Sequence, residues 1–212
     1  MNLKFYYYYF QKALSEKFCD DLISFAEKKQ KLMGMTGDFG PDRDIYKQPL
    51  TKKEMQRLKK QRDSNVVWLN DHWIYKEIIP WVQEANKRAG WNYQIDTCED
   101  CQFTTYKKNQ FYDWHCDSWN IPYPENTKFA GRIRKLSVTV SLTNPKKYKG
   151  GELEFDYKEN KPNKKNKSVI CTDVLPRGSL VVFPSFVWHR IKPVTRGTRQ
   201  SLVVWNLGTP FK

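Results

Sequence analysis

The spacing of hydrophobic residues changes near the middle of the chain. Before about residue 92, apolar side chains recur mostly at the three- and four-residue spacing of amphipathic helices. From Tyr93 onward, short runs rich in aromatic and β-branched residues are separated by turns that contain glycine or proline. The first part therefore predicts helices, and the second part predicts a β-rich unit.

Polar residues that can cap a helix precede each helical stretch. Ser15 and Asp71 can each accept a hydrogen bond from the first turn of a following helix, and Thr51-Lys52-Lys53-Glu54 fits a capping box. Pro80 is expected to kink the third helix or to restart it. The predicted elements are a strand at 3–10, a helix from 15 to about 30, a short charged helix after 54, a strand at 65–69 and a helix from 71 to about 90.

The second part contains eight strand candidates, divided by turn signals such as Gly150-Gly151 and Pro176-Arg177-Gly178. Eight short strands with such turns fit a jelly roll or a sandwich. No repeat or linker divides the chain, so one domain is expected over 1–212, with a helix-rich support and lid region at 1–92 and the β core at 93–212. The candidates are 101–106, 112–117, 135–142, 152–157, 168–174, 179–183, 187–192 and 200–207.

Composition limits the classes of protein that are possible. Hydrophobic residues make up 39% of the chain and aromatic residues 15%, which is typical of a globular protein. No apolar run is long enough to cross a bilayer, and the N-terminus lacks the pattern of a signal peptide. We therefore expect a cytoplasmic protein without a membrane partner, and reduced thiols for its five scattered cysteines.

The formal net charge of +14 favours contact with polyanions or acidic partners. The lysines are spread along the sequence, however, and no nucleic-acid-binding module is visible. A basic solvated surface explains the charge equally well. Nucleic acid is therefore a possible partner but not the favoured one.

Candidate chemistry is concentrated in His115-Cys116-Asp117, His189 and Arg199. Residues i and i+2 of a strand point to one face, so His115 and Asp117 can share a metal ion with His189 from another strand. Two imidazoles and one carboxylate are the ligand set of non-haem Fe(II) oxygenases. A guanidinium at Arg199 can hold a carboxylate with two hydrogen bonds, which suggests a dicarboxylate such as 2-oxoglutarate.

Longer motifs around these residues resemble a known family. The segment from Tyr106 to Asp117 resembles the Tyr-x-x-Gly-x-x-Tyr-x-x-His-x-Asp segment of prolyl 4-hydroxylases, with Asn109 in place of the glycine. Gly150-Gly151-Glu152 matches the family's strand entry, and the stretch 176–199 is very similar to the PKHD-type hydroxylases of bacteria and phages. The resemblance covers about 60–207. It implies an α+β fold with a double-stranded β-helix (jelly roll) core and N-terminal supporting helices.

The resemblance also implies a role for each matching residue. His115, Asp117 and His189 would bind Fe(II), and Arg199 would pair with the distal carboxylate of 2-oxoglutarate. Prolyl 4-hydroxylases of animals and algae carry lysine at the position of Arg199, whereas PKHD-type hydroxylases carry arginine there. The remaining assignments are Tyr106 and Ser201 beside the co-substrate, Tyr112 and Arg134 in the substrate pocket, and Trp205 in both.

The function that follows from the resemblance is an Fe(II)- and 2-oxoglutarate-dependent dioxygenase, with O2 as oxidant, ascorbate as reductant, and succinate and CO2 as co-products. Its expected partner is a protein or peptide that contains the hydroxylated proline. The segments 31–50 and 111–134 are candidate lid and substrate-facing segments because they adjoin the metal motif or are rich in glycine and proline.

Two other functions stay open at this point. The first is an oxygenase that acts on nucleic acid or a small molecule; nucleic-acid demethylases of this superfamily usually carry a second arginine shortly after the first, and none follows Arg199 before residue 207. The second is a non-catalytic jelly-roll module that retains a metal site. Intact candidate ligands and Arg199 argue against it.

Overall fold

The structure is a computed structural model that describes residues 5–37, 48–118, 121–158, 160–162 and 168–211. Among the described residues, α-helices occur only in the first part of the chain, whereas the second part is built mainly from strands. The elements are β1 (Tyr8–Phe10), α1 (Glu16–Glu27), β2 (Leu32–Met33), α2 (Lys52–Gln61), β3 (Arg62–Asp63), β4 (Asn65–Leu69), α3 (His72–Arg88), β5 (Thr97–Cys98), β6 (Cys101–Tyr106), β7 (Phe111–His115), β8 (Ile133–Ser141), β9 (Tyr148–Gly150), β10 (Leu153–Asp156), β11 (Val169–Ile170), β12 (Leu180–Pro184), β13 (Trp188–Ile191), β14 (Val194–Gly197) and β15 (Arg199–Gly208).

Two of the three predicted helix starts are capped as expected. The Ser15 hydroxyl accepts a hydrogen bond from the backbone N–H of Phe18 at 3.0 Å. Thr51 and Glu54 form the reciprocal bonds of a capping box. Asp71 precedes α3 but makes no side-chain cap, because its carboxylate pairs with Lys29 at 3.2 Å.

Pro80 does not restart the third helix. α3 runs through it as one helix of 17 residues. Buried apolar residues lie on both sides of Pro80, among them Ile78 and Val82, and their packing against the sheet holds the two halves together. No helix in the described ranges has the length and apolar character needed to cross a membrane.

The strands form two main antiparallel sheets. The larger has the order β1-β12-β8-β15-β6-β4-β2, with β5 pairing β15, and the smaller has the order β11-β10-β13-β7-β3. A separate ribbon joins β14 to β9. The expectation of a β-rich fold with supporting helices is therefore confirmed.

Each face of the larger sheet contributes to a different core. Leu202 and Val204 of β15 pack with the helices in one cluster. Val181 and Phe183 of β12 pack in the other cluster with Phe155 of the smaller sheet, so that the second core lies between the sheets. The side chains of β15 that alternate with Leu202 and Val204 lie on the opposite face of the sheet and therefore point toward the smaller sheet.

Several predicted boundaries were wrong. No strand was predicted between 192 and 200, but Val194–Gly197 is β14. The strand predicted at 168–174 is only Val169–Ile170, followed by a 3-10 turn at Thr172–Val174. The first strand is limited to Tyr8–Phe10, and 1–4 lie outside the described residues. Half of the candidate lid at 31–50, residues 38–47, also lies outside them.

Candidate active site

The two candidate histidine ligands lie on neighbouring strands of the smaller sheet. His115 ends β7, and His189 of β13 is its direct partner in the register. Asp117 completes the group, and the potential ligand atoms of the three residues all lie within 4.8 Å of one another. The Nε2 atoms of His115 and His189 are 3.6 and 3.5 Å from the Asp117 carboxylate oxygens. The structure therefore brings together the triad that the sequence singled out.

Asp117 reaches this position by a different route from the one predicted. The strand was expected to continue through Asp117, but β7 ends at His115. The backbone N–H of Asp117 donates to the Ser185 carbonyl at 2.9 Å, and the Ser137 hydroxyl hydrogen-bonds the carboxylate. A loop contact with β12 and β8 therefore aims the carboxylate, rather than strand alternation.

Both imidazoles are oriented by backbone carbonyls. Nδ1 of His115 lies 2.8 Å from the Asp113 carbonyl, and Nδ1 of His189 lies 2.9 Å from the Val187 carbonyl. A carbonyl only accepts hydrogen bonds, so each Nδ1 carries the proton and each Nε2 keeps a lone pair. These lone pairs are on the atoms that approach Asp117.

The charge states suit a metal ion. Burial, helped by the proximity of His189, lowers the pKa of His115 well below its usual value, so the ring is neutral near pH 7. Burial alone would raise the pKa of Asp117, but His189, His115 and Arg134 outweigh it and lower that pKa to about 2. Two imidazole nitrogens and one carboxylate fit Fe(II) with open coordination positions.

Arg199 is a buried cation at the start of β15, only 3% exposed. Its Nη1 donates to the Ser201 hydroxyl at 3.0 Å, and Tyr106 is its partner in the register, with the ring centroid 5.7 Å from the guanidinium. Among the described residues, no carboxylate lies within salt-bridge distance of Arg199. A buried guanidinium without an acidic partner is costly, so this one fits an anionic ligand.

Tyr106 connects this pocket to the metal triad. Burial raises the pKa of its phenol, and the charges of both Arg199 and Asp117 act on it. The hydroxyls of Thr104, Thr139 and Ser201 are buried on the same face of the larger sheet, because each alternates with residues of the helix-side core. The space beside Arg199 therefore has polar walls, as a dicarboxylate requires.

The Gly-Gly turn makes room for Arg199. Gly150 and Gly151 have φ values of 75° and 68°, in the region that favours glycine. A Cβ on Gly151 would lie 2.9 Å from Cδ of Arg199 and 2.9 Å from Cγ2 of Val194. Glycine at 151 is thus required by both the backbone conformation and the approach of the arginine.

Arg134 and Trp205 lie together beside the triad. The guanidinium stacks 3.9 Å from the Trp205 ring and binds Glu99 with two hydrogen bonds, while its Nη1 lies 3.4 Å from the Asp117 carbonyl. Arg132, two residues earlier in the chain, pairs with Asp96 instead. Nε1 of Trp205 is buried and has no hydrogen-bond partner among the described residues.

A residue that the sequence analysis missed, Arg62, stacks on the outer side of the site. Its guanidinium is 4.5 Å from the Tyr112 ring, which in turn stacks on His115 with centroids 3.5 Å apart. Arg62 donates to Ser64 and to the Met35 carbonyl, and its Nη2 is buried without a partner in the described ranges. The sequence predicted a strand at 65–69 and gave Arg62 no role, although an arginine just before that strand was a visible signal.

Comparison with known families places the chain in one of them. The profile of the 2OG-Fe(II) oxygenase superfamily matches residues 101–206, which is half of the chain. The chain therefore belongs to the 2OG-Fe(II) oxygenase superfamily. In Escherichia coli, the PKHD-type hydroxylase YbiX is 35% identical to it over 104 residues, which is 49% of this chain but 40% of that relative. The match thus spans less than half of the curated relative's length.

Solved structures show that the fold is that of prolyl hydroxylases. The viral collagen prolyl hydroxylase of Paramecium bursaria Chlorella virus-1, in its 2OG complex, aligns with a TM-score of 0.62 at 19% identity, covering 97% of this chain and 98% of that one. A Pseudomonas putida prolyl-4-hydroxylase aligns with a TM-score of 0.59 at 16% identity, covering 96% and 92%. The Trichoplax adhaerens prolyl hydroxylase in complex with a hypoxia inducible factor peptide fragment aligns with a TM-score of 0.61 at 14% identity, covering 96% of this chain and 84% of that one.

Proposed function

We propose that this protein is an Fe(II)- and 2-oxoglutarate-dependent dioxygenase that hydroxylates a prolyl residue of a protein or peptide. The two sheets, with the second core between them, would form the jelly roll of a single domain over 1–212. Prolyl hydroxylation is the activity that the solved neighbours' names carry, and the residues around the triad suit a peptide substrate.

One observation carries the proposal. A buried guanidinium without an acidic partner in the described chain and a buried His-Asp-His group lie on either side of Tyr106, whose phenol is acted on by the charges of both Arg199 and Asp117. The triad suits Fe(II), and the guanidinium suits the distal carboxylate of a co-substrate that chelates the metal through its other end. A purely structural metal site has no need for the second anion site.

The residues would divide the work as follows. His115, Asp117 and His189 would hold Fe(II), and Arg199 would bind the distal carboxylate of 2-oxoglutarate with help from Ser201 and Tyr106. When bound, Fe(II) and 2-oxoglutarate supply the oxidative chemistry, with O2 as oxidant and succinate and CO2 as products, and ascorbate would keep the metal reduced. The buried rings of Phe155 and Phe183, which contact His189, would help to exclude water from this reaction.

Peptide recognition would fall to the residues on the open side of the triad. Arg134 and Nε1 of Trp205 present N–H donors, and these suit the carbonyl oxygens of a peptide. Tyr112 covers His115 and would limit the side chains that approach the metal. Glu99 fixes Arg134 by two hydrogen bonds and so keeps its donors in place.

The test is succinate formation by purified protein with Fe(II), 2-oxoglutarate and ascorbate, using proline-containing polypeptides and alkylated oligonucleotides. Polypeptides are expected to stimulate turnover, His115→Ala is expected to abolish it, and Arg199→Ala is expected to reduce it strongly at low 2-oxoglutarate concentrations. His72→Ala is the control, since His72 is exposed at the start of α3. Stimulation by oligonucleotides alone would move the function to nucleic acids, to which the +14 charge is suited. Iron binding without any succinate formation would indicate that the protein is a non-catalytic metal-binding module.

A further inference from the structure

Trp68 is a large aromatic residue on the site side of the larger sheet that no catalytic requirement explains. It is 42% exposed, whereas its neighbours Val67 and Leu69 are buried in the helix-side core. Because side chains alternate along β4, Trp68 points to the face that carries Trp205 and Tyr106. Its ring centroid lies 6.0 Å from that of Trp205, at an angle of 40°.

The contacts of Trp205 connect this exposed ring to the metal triad. Trp205 is only 6% exposed, and Arg134 stacks on it while Nη1 of Arg134 approaches the Asp117 carbonyl. The unpartnered Nε1 of Trp205 is a buried donor, and leaving such a donor without an acceptor is costly. Together with Arg134, the two tryptophans therefore form a continuous line of contacts from the surface to Asp117, which we call the substrate path. Along this path, the Nε1–H group of Trp205 lacks a hydrogen-bond acceptor among the described residues.

We propose that Trp68 is the outer contact of the substrate path. It binds a proline ring of the substrate that lies about two residues along the peptide from a second proline ring, which contacts Trp205. The ligand is an extended, proline-rich peptide segment in the polyproline II conformation. This inference rests on the proposed function, because the inner end of the path is the hydroxylation site.

The spacing and chemistry of the path support this ligand. Polyproline II rises about 3.1 Å per residue, so two residues span about 6 Å, which matches the separation of the two rings. Proline has a carbonyl acceptor but no N–H, and this complements a wall that presents the N–H donors of Trp205 and Arg134. Flat aromatic rings are the usual platform for proline side chains in such complexes.

A stacked nucleic-acid base is the competing ligand for Trp68. The polar residues around Trp68 oppose it. Gln102, the cross-strand partner of Trp68, and Thr104, two residues further along the same face of β6, are neutral. Lys29 and Lys128, near the strand ends, are already paired with Asp71 and Asp100. A phosphate backbone would find no uncompensated cation among these residues, whereas a neutral proline-rich segment needs none.

The experiment compares two peptides with Trp68→Ala, Trp68→Phe and Tyr9→Ala. One peptide has nine residues, Pro-Ala-Pro-Ala-Pro-Ala-Pro-Ala-Pro, in which each proline has another proline two residues away, and the other is a capped Ala-Pro-Ser tripeptide that cannot reach Trp68 from the metal. Tyr9 is the matched control because it is 43% exposed on β1, the opposite edge strand of the same sheet. The readouts are KM and kcat for each peptide, from succinate and hydroxyproline.

For Trp68→Ala, we expect the KM of the nine-residue peptide to rise about tenfold, with kcat and the tripeptide KM unchanged. Trp68→Phe should restore most of the affinity, and Tyr9→Ala should behave as wild type. An unchanged KM in Trp68→Ala, or reduced oligonucleotide binding instead, would overturn the inference while leaving prolyl hydroxylation intact. Absence of hydroxyproline from both peptides with wild type would overturn the proposed function, and the inference with it.

Discussion

The properties of single residues distinguish this site from a cluster of ordinary polar side chains. His115 and His189 each direct Nε2 toward Asp117 because a backbone carbonyl fixes Nδ1. Arg199 carries a full charge where the described chain offers only the Ser201 hydroxyl as a hydrogen-bond partner. The sequence identified these residues through their spacing and family likeness. It could not reveal how Asp117 is aimed, because that depends on the distant Ser137 and Ser185.

Arg199 should be required for the affinity of the co-substrate. We expect Arg199→Ala to raise the KM for 2-oxoglutarate at least about thirtyfold, because the distal carboxylate would be buried without its charged partner. Arg199→Lys should recover only part of this, since lysine keeps the charge but loses the planar fork. The measurement is KM for 2-oxoglutarate at saturating Fe(II).

Arg196→Ala is the matched control for this series, because Arg196 is an exposed arginine three residues earlier in the chain. It should leave the KM unchanged. Equal KM values for Arg199→Ala and Arg196→Ala would remove Arg199 from the co-substrate pocket.

At the scale of elements, a few turns set the geometry of the whole site. β4 and β6 were predicted with the observed bounds because their apolar periods are unbroken, and β7 was predicted to within two residues at each end. β9 and β14 were missed, since Tyr148-Lys149-Gly150 and Val194–Gly197 have no apolar alternation and exist only through pairing with each other. Tertiary pairing of this kind is invisible to local pattern.

Gly151 is the position where a turn most closely approaches Arg199, the residue proposed to bind the co-substrate. Gly151→Ala should lower stability by about 2 to 3 kcal/mol through backbone strain and crowding, and should also raise the KM for 2-oxoglutarate by displacing Arg199. Gly90→Ala is the control: Gly90 has a φ of 70°, but open space surrounds its would-be Cβ. It should cost about 1 kcal/mol and leave the KM unchanged.

Thermal melts and steady-state kinetics of the two variants would separate these effects. If Gly151→Ala lost stability with no change in the KM for 2-oxoglutarate, the turn would be a structural feature unrelated to Arg199.

At the scale of the whole molecule, the helices and the larger sheet form a support for the smaller sheet that carries the histidines. The division of the chain near residue 92 was readable from hydrophobic spacing, because helices and strands have different periods. The pairing order of the sheets was not readable from spacing, since it depends on contacts between residues far apart in sequence, such as His115 with His189. The family resemblance was the route by which the sequence indicated that arrangement.

Metal binding should stabilise the whole domain, because the ligands are assembled only in the folded state. With Mn(II) at about 100 times its Kd, the gain is about 2.7 kcal/mol, or a rise in Tm of roughly 5 to 10 °C. His189→Ala should abolish the Mn(II)-dependent rise, and the exposed His72→Ala should retain it. A full rise in His189→Ala would show that the metal binds elsewhere.

The most direct test of the account is to count two products in one reaction of the wild-type protein with a proline-rich peptide: succinate, and hydroxyproline identified by mass spectrometry. We predict equal amounts of the two, both dependent on Fe(II) and both absent in His115→Ala. Succinate released while the peptide gains no oxygen, or no succinate above the His115→Ala background, would contradict it.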